Sequence, residues 1–563
     1  MGNQVLVKKL VSLLTDRSKI RRRVWFGFSA FSIAAITATV LWNGATHIIA
    51  PWDVFAQLEG GWRIVSGLVP HTDYYNPIGP LTYLLTALGM RLAGPSVASI
   101  AYGNLIFLLV LTPWAWIVAS NRLSYSNSFL FAIFILFLLA AVRPLGYEPG
   151  TTTYAMIYNR YGWALIAVLF LQLFVPTYTQ SERGRIPTSI SIGLLLSFLF
   201  YCKVSYFGLA VVATALALIL RTDLRRSIVY LILSFVLVIA TVWLLLGISA
   251  VDYISDLSSA GGAQSISHRV SYLKNALRAN TWRLCLTGLI WIIVLIIPSE
   301  NRKYYSWLTD RLYLNVVIAL ILTTTFILAA GNAPEGNDIP LFFVISLICL
   351  HFVARMFRHP NPASTVQAWI SYLVIFAVAV PIFFGTLVVK DALSIVHAAR
   401  WKEYRVSTAP ESQRFNAAPL ADFIIPHTSE WQTAYWRAKN VPARINEGLS
   451  LLRRHVKADS RLFVLAFTDP FSFALQLPPP KGPPLWWDPQ FSFSADDFPD
   501  PNSIFANVNI VVIPILHDED DGCCKDTVYR MSKAYGIYLE KFFEERDRSD
   551  HWVIMQRRLP GNS

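Results

Sequence analysis

The sequence predicts a polytopic α-helical membrane protein of about eleven transmembrane helices, followed by a small C-terminal α/β domain on the non-cytoplasmic side. Three observations predict it. A chain of 563 residues that is 54% hydrophobic is too long and too apolar for one soluble domain. Its apolar residues fall in repeated runs of membrane-crossing length. Its basic excess belongs to the apolar part alone: residues 1–389 hold 27 Lys/Arg against 13 Asp/Glu, and residues 390–563 hold 21 against 22. A formal charge of +13 distributed in this way marks loops flanking membrane helices and excludes a nucleic-acid footprint.

Apolar runs near 24–48, 98–119, 128–142, 161–177, 227–247, 282–298, 312–330, 339–355 and 366–389 each match one span. The first is long for a signal peptide and lacks a small-x-small site before Pro51, so it reads as a retained helix. The stretch 188–220 is about 33 residues long with arginines at both ends, which predicts a hairpin of two helices turning near Lys203. With the N-terminus inside, the cytoplasmic segments hold 18 Lys/Arg in 71 residues and the opposite ones 8 in 109, so the positive-inside bias supports that orientation. An odd number of spans then places residues 390–563 outside.

The chain therefore divides into a membrane module, 1–389, with its first outer loop at 49–96, and an outer domain, 390–563. Arg461–Phe467, Asn507–Ile515 and His551–Gln556 read as strands, Thr527–Glu545 as a helix, and the Pro-rich 478–501 as a loop. Cys202, Cys285 and Cys349 lie in apolar runs, where a thiol behaves as a small hydrophobe. Cys523 and Cys524 are adjacent and leave a vicinal disulfide open, and no CxxC or His-rich metal spacing occurs.

The first outer loop carries the chemistry-bearing residues. After Asp53, apolar residues recur at Val54, Phe55, Leu58, Trp62 and Val65, which predicts an amphipathic helix in the membrane interface. A turn-rich segment follows, and a second apolar helix starts at Leu81. Glu59 and Arg63 stand four apart, as an i,i+4 ion pair does.

The loop's opening Asp53 and its sequel Gly67-x-x-Pro70-x-x-Asp73-Tyr74-x-x-Pro77-x-Gly79-Pro80-Leu81 resemble the first outer loop of GT-C glycosyltransferases, the superfamily of protein mannosyltransferases and aminoarabinose transferases. The resemblance extends to the overall plan and covers little between. Many members carry an Asp-Glu pair at the loop's start, whereas Asp53 is followed here by Val54. It implies an enzyme of the inner (plasma) membrane that moves a sugar from a polyprenyl-phosphate donor to a glycan, lipid or protein acceptor outside. Membrane lipids are its surroundings and nucleic acid has no part. It also implies that Asp53 is the general base that deprotonates the acceptor hydroxyl. The alternative is a helix N-cap, without the Glu or Gln three residues on that would complete a capping box.

Asp73 is a second catalytic candidate beside its reading as ordinary turn chemistry. Lys203 is unlike any other cation, because it interrupts the apolar sequence FLFYCKVSYFGLA; it either snorkels or binds the donor phosphate. Arg160 and Arg269 are further phosphate candidates, each with a headgroup or solvent-facing alternative. His71, Tyr158, Asn159, Glu148 and His268 are weaker candidates for substrate contact. Glu335 and Asp338 leave a divalent cation open without defining a site. A transporter or flippase of lipid-linked saccharides is the rival reading. It predicts inverted repeats with midplane polar residues, which the sequence does not show.

Overall fold

The computed structural model describes residues 26–37 in part, 51–177, 182–261, 266–296, 304–331, 338–356, 370–407, 414–425, 441–488, 492, 498–517 and 522–558. Most of the expected first span, which is described only at helical positions within 26–37, and Glu335 and the side chains of His268, Cys523 and Cys524 lie outside the described residues. Among the described residues, the longer helices ahead of the C-terminal part are α1 (Pro51–Val65), α2 (Leu81–Ala93), α3 (Ala98–Ser120), α4 (Tyr125–Ala140), α5 (Ile157–Phe174), α6 (Glu182–Cys202), α7 (Val204–Leu220), α8 (Ile228–Leu246), α9 (Ala250–Gly261), α10 (Ile266–Ala279), α11 (Thr281–Ile296), α12 (Tyr304–Gly331), α13 (Leu341–Met356) and α14 (Val380–Ser407).

Among the described residues six helices are long and apolar enough to cross a membrane, and a seventh span arises if α10 and α11 are counted as one bent unit. Four shorter apolar helices, α2, α4, α7 and Leu341–Ala354, accompany them. On α8 the apolar side chains face outward almost all round (Leu237, Leu244 and Leu245 are more than two-thirds exposed), which in a protein of this composition is a lipid-facing surface.

The stretch 188–220 is two helices, α6 and α7, broken at an extended Lys203. They form a hairpin, because the far end of α7 returns to the start of α6. Ser189 Oγ lies 2.7 Å from Ser227 Oγ. Arg221, at the end of α7, donates to Gln172 O and Leu173 O at the end of α5. Arg122 reaches Thr188 at the same level. This end of the bundle thus gathers Arg122, Arg221, Arg225 and Arg226, while Lys203 and the 51–97 segment occupy the other.

The α1–α2 pair is set by two glycines. A Cβ at Gly60 would overlap the Tyr83 ring, and one at Gly61 would meet Thr86, so the two helices touch backbone to side chain. The expected water-exposed face of α1 is not observed. Gln57 is buried against α2, where it donates to Thr86, and Glu59 and Arg63 are buried because C-terminal residues cover the face that would otherwise meet solvent. Trp62 Nε1 donates to Leu477 O at 2.8 Å, and Phe55 packs edge-on against Phe415 and Phe423.

Residues 441–558 contain a four-stranded sheet of order β1-β2-β4-β3, with β1 (Leu462–Val464), β2 (Ile510–Pro514), β3 (Phe543–Arg548) and β4 (Trp552–Arg557). β1 and β2 run parallel, and the remaining pairs are antiparallel. Alternation puts Phe463 and Val511 with Met531 and Tyr535 of α16 (Gly522–Phe542), and Leu462, Val464 and Val512 with Ile445 and Leu449 of α15 (Val441–Leu452). Two boundaries differ from expectation. The helix expected to reach Glu545 stops at Phe542, and the next six residues form β3. The helix expected to end at 389 continues to Ser407, because Lys390 faces the buried Asp338 at 3.8 Å and Asp391 pairs with the buried Arg143 at 2.8 Å.

Candidate functional site

The turn between α1 and α2 is built from its own polar side chains. Asp73 Oδ2 accepts from Val69 N at 2.8 Å, and Asp73 N donates back to Val69 O. Asn76 closes a second turn on Ile78. Gly79 then lies flat on the end of α6, where a Cβ would fall 2.2 Å from Tyr201 O. That contact brings the first loop to the level of the α6–α7 break and of Lys203.

Asp53 is the third residue of α1, and no backbone N–H of the helix donates to it, so it does not cap. Partly exposed, it makes no hydrogen bond or ion pair among the described residues. Low-dielectric surroundings, with the Asp488 carboxyl as a second cause, push its carboxyl up to about 7. A carboxyl that changes charge near neutrality and is not held by a partner is suited to taking up a proton. Deeper in α1, burial outweighs Arg63 at 3.0 Å and, with Asp469 nearby, pushes Glu59 up to about 8.

The segment 477–488 from the C-terminal part threads over this loop. Gly482 N donates to Asp73 O at 2.8 Å, and Leu485 N donates to Tyr75 O at 3.0 Å. Lys481 Nζ pairs with Asp73 Oδ1 at 3.0 Å, and Arg63 Nη1 donates to Pro483 O at 2.9 Å. Trp486 packs against the buried cluster of Tyr74, Leu485 and Tyr83 of α2. Asp488 follows in a turn closed by Ser492, whose carbonyl accepts from the Tyr75 hydroxyl. The chain thus brings the charge of a second acid to bear on Asp53 from 435 residues further along. Sequence reading missed Asp488 because its Pro-rich surroundings suggest only a loop.

Lys203 gathers two of the sequence candidates. Its Nζ donates to Asn159 Oδ1 at 3.2 Å and stands 5.1 Å from the centre of the Tyr158 ring. Cys202 Sγ anchors the break by donating to Tyr158 O. The result is a half-buried ammonium at the end of the bundle where the first loop sits.

The remaining candidates lie elsewhere. Asp73 has both carboxylate oxygens engaged, one by Val69 N and one by Lys481, which makes it a turn and latch residue. Arg160 is buried, with Asp391 at 3.0 Å, Arg143 O at 2.6 Å and Leu138 O at 2.9 Å, so its guanidinium is occupied inside the bundle and is not presented to a phosphate. Arg143 joins the same cluster and bridges Asp391 to Asp338. Glu148 is exposed and faces Lys390 at 3.6 Å. Arg269 is exposed on α10. His71 adopts left-handed backbone, with φ +69°, and is buried; its Nδ1 lies 2.7 Å from Asp256 Oδ2, and its ring packs on Tyr253. Asp256 also accepts from Asn76 N, so the pair fastens the turn to α9.

The described residues hold no group of three His, Cys, Asp or Glu side chains placed to take a metal ion, and Asp338 pairs with Arg143.

No family model and no curated protein matches the chain. Solved structures similar to it are of GT-C fold glycosyltransferases. ArnT from Cupriavidus metallidurans bound to undecaprenyl phosphate is 12% identical over 94% of this chain and 98% of that one, with a TM-score of 0.48. The same protein in the apo state gives 0.41 at 12% identity over 93% and 97%. The archaeal oligosaccharyltransferase AglB from Archaeoglobus fulgidus, in complex with an inhibitory peptide and a dolichol-phosphate, gives 0.41 at 11% identity over 97% and 76%.

Proposed function

We propose that the chain is an integral-membrane glycosyltransferase that moves a sugar from a polyprenyl-phosphate donor to an acceptor hydroxyl, with Asp53 as general base. The observation that carries this reading is the state of Asp53. It is a carboxyl without a hydrogen-bond partner among the described residues, raised to about 7, inside the loop whose motif resembles that of the GT-C enzymes. The acceptor O–H gives its proton to Asp53 as its oxygen bonds to the anomeric carbon. The bond from that carbon to the phosphate oxygen breaks, and the electron pair leaves with the polyprenyl phosphate. The Lys203 ammonium, placed by Asn159 and Tyr158 at the same end of the bundle, balances the growing phosphate charge. Arg160, bound to Asp391, has no part in this step, and neither has Asp73. Residues 477–488 close over the loop and shape the acceptor side.

The test is transfer by the purified protein in phospholipid nanodiscs, supplied with a panel of radiolabelled polyprenyl-phosphate sugars and an envelope-glycan extract as acceptor. The expected result is label moved to acceptor with release of polyprenyl phosphate. Movement of an intact lipid-linked sugar across a vesicle membrane without cleavage would instead establish the flippase reading.

A further inference from the structure

Helix α10 has a surface that neither the fold nor the proposed reaction uses. Ile266, Val270, Leu273 and Leu277 recur at i, i+4, i+7 and i+11, so they form one stripe. Ile266 is 81% exposed, Val270 57% and Leu277 40%, although each is apolar. Lys274 and Arg278 are exposed along one flank of the stripe and Arg269 along the other, and the helix contains no acidic residue. Ala276, on the Arg269 flank, is buried, and the polar Ser271 and Asn275 on the opposite face are exposed.

The attachment of α10 decides what covers this stripe. Across Asn280 its axis turns by 65° from that of α11, an apolar helix of 16 residues. Helix α9, which ends four residues before α10, is fastened to the first loop by the His71–Asp256 contact, which places the start of α10 at the Asp53 end of the bundle. A helix inclined so steeply to the span that carries it runs near the membrane plane, at the depth where the span emerges. There an apolar stripe flanked by cations meets acyl chains at its centre and phosphate groups at its edges.

We infer that α10 is an interfacial helix that binds anionic phospholipids, with Ile266, Val270 and Leu277 among the acyl chains and Arg269, Lys274 and Arg278 on the headgroup phosphates. A soluble protein partner fits less well, because the tether to α11 holds the stripe at the bilayer surface whether or not a partner is present.

The test reads position and charge without any enzymatic assay, so it stands or falls apart from the proposed reaction. A fluorophore is attached at Val270→Cys, or at Leu289→Cys on α11, in full-length protein lacking the native cysteines that label. Proteoliposomes are made of phosphatidylcholine alone or of equal parts phosphatidylcholine and phosphatidylglycerol. At position 270, lipids spin-labelled near the headgroup should quench better than those labelled deep in the chain, with the reverse at position 289. Phosphatidylglycerol should strengthen shallow quenching at 270 roughly twofold, and the combined Arg269→Gln, Lys274→Gln and Arg278→Gln variant should lose that gain while position 289 is unchanged. Strong quenching by aqueous iodide at 270 would overturn the inference. So would protection from both iodide and spin-labelled lipid, which indicates a protein on the stripe, or lipid quenching indifferent to phosphatidylglycerol.

Discussion

Replacing Asp488 by Asn should lower the pH at which Asp53 ionises, and the structure limits by how much. The Asp53 carboxyl rises from 3.8 to about 7, about 3 units, with two causes acting in the same direction. Loss of hydration is the larger and the Asp488 charge the smaller, so removing that charge lowers the midpoint by no more than about 1.5 units, equivalent to about 2 kcal/mol. A midpoint above the ordinary carboxylate value means that folding disfavours the ionised form. The folded state therefore loses stability as pH climbs from about 4 towards 7, and Asp488→Asn recovers part of that loss. The assay is carbodiimide-driven amine coupling at the peptide containing Asp53, followed by mass spectrometry across pH, beside the acid limb of kcat/KM. The wild type should give a midpoint near 7 in both, and the variant a lower one. A midpoint that stays or rises in Asp488→Asn would refute the claim that the C-terminal segment sets the state of Asp53.

Further expectations concern the neighbouring charges. Lys203→Met should raise KM for the donor about 10- to 100-fold, the loss of one charged hydrogen bond, with the thermal midpoint little changed. Arg160→Met should act in the opposite way, removing about 3–5 kcal/mol of stability by leaving Asp391 buried without one of its partners, while donor KM in whatever protein folds stays as it was. Glu59→Gln should shift stability by less than about 1 kcal/mol at neutral pH, because a carboxyl raised to about 8 is already mostly protonated there. Arg63→Met should cost more than Glu59→Gln, since it also strands the Pro483 carbonyl, and chemical denaturation in mild detergent compares the two. Gly79→Ala should loosen the first loop from α6, since its methyl meets the Tyr201 carbonyl, and amide exchange across 67–80 would report it.

What the sequence made legible is what depends on short-range pattern. The break at Lys203 could be read because a lysine inside 33 apolar residues has few places to go, and the hairpin places it at a turn. The Glu59–Arg63 pair could be read from helical spacing alone. Arg160 could not, because its partner Asp391 stands 231 positions away in a segment that looked like the start of another domain. Buried partners turn Lys390 and Asp391 from a helix stop into part of a helix interior. Strand β3 was hidden for a related reason: Phe543-Glu-Glu-Arg-Asp-Arg favours helix locally, and only pairing with β4 makes it a strand. Asp488 and Lys481 were legible as residues but not as neighbours of the first loop, since a Pro-rich segment carries no periodicity that points to its contacts.

The central claim is that Asp53 takes the acceptor's proton during transfer from a lipid phosphate. Single-turnover transfer by Asp53→Asn, with donor affinity measured on the same preparation, tests it most directly. The account predicts a rate lower by about 10²- to 10⁴-fold with donor Kd unchanged, the size of loss expected when a general base is removed. A variant that binds donor and transfers sugar at the wild-type rate would contradict it.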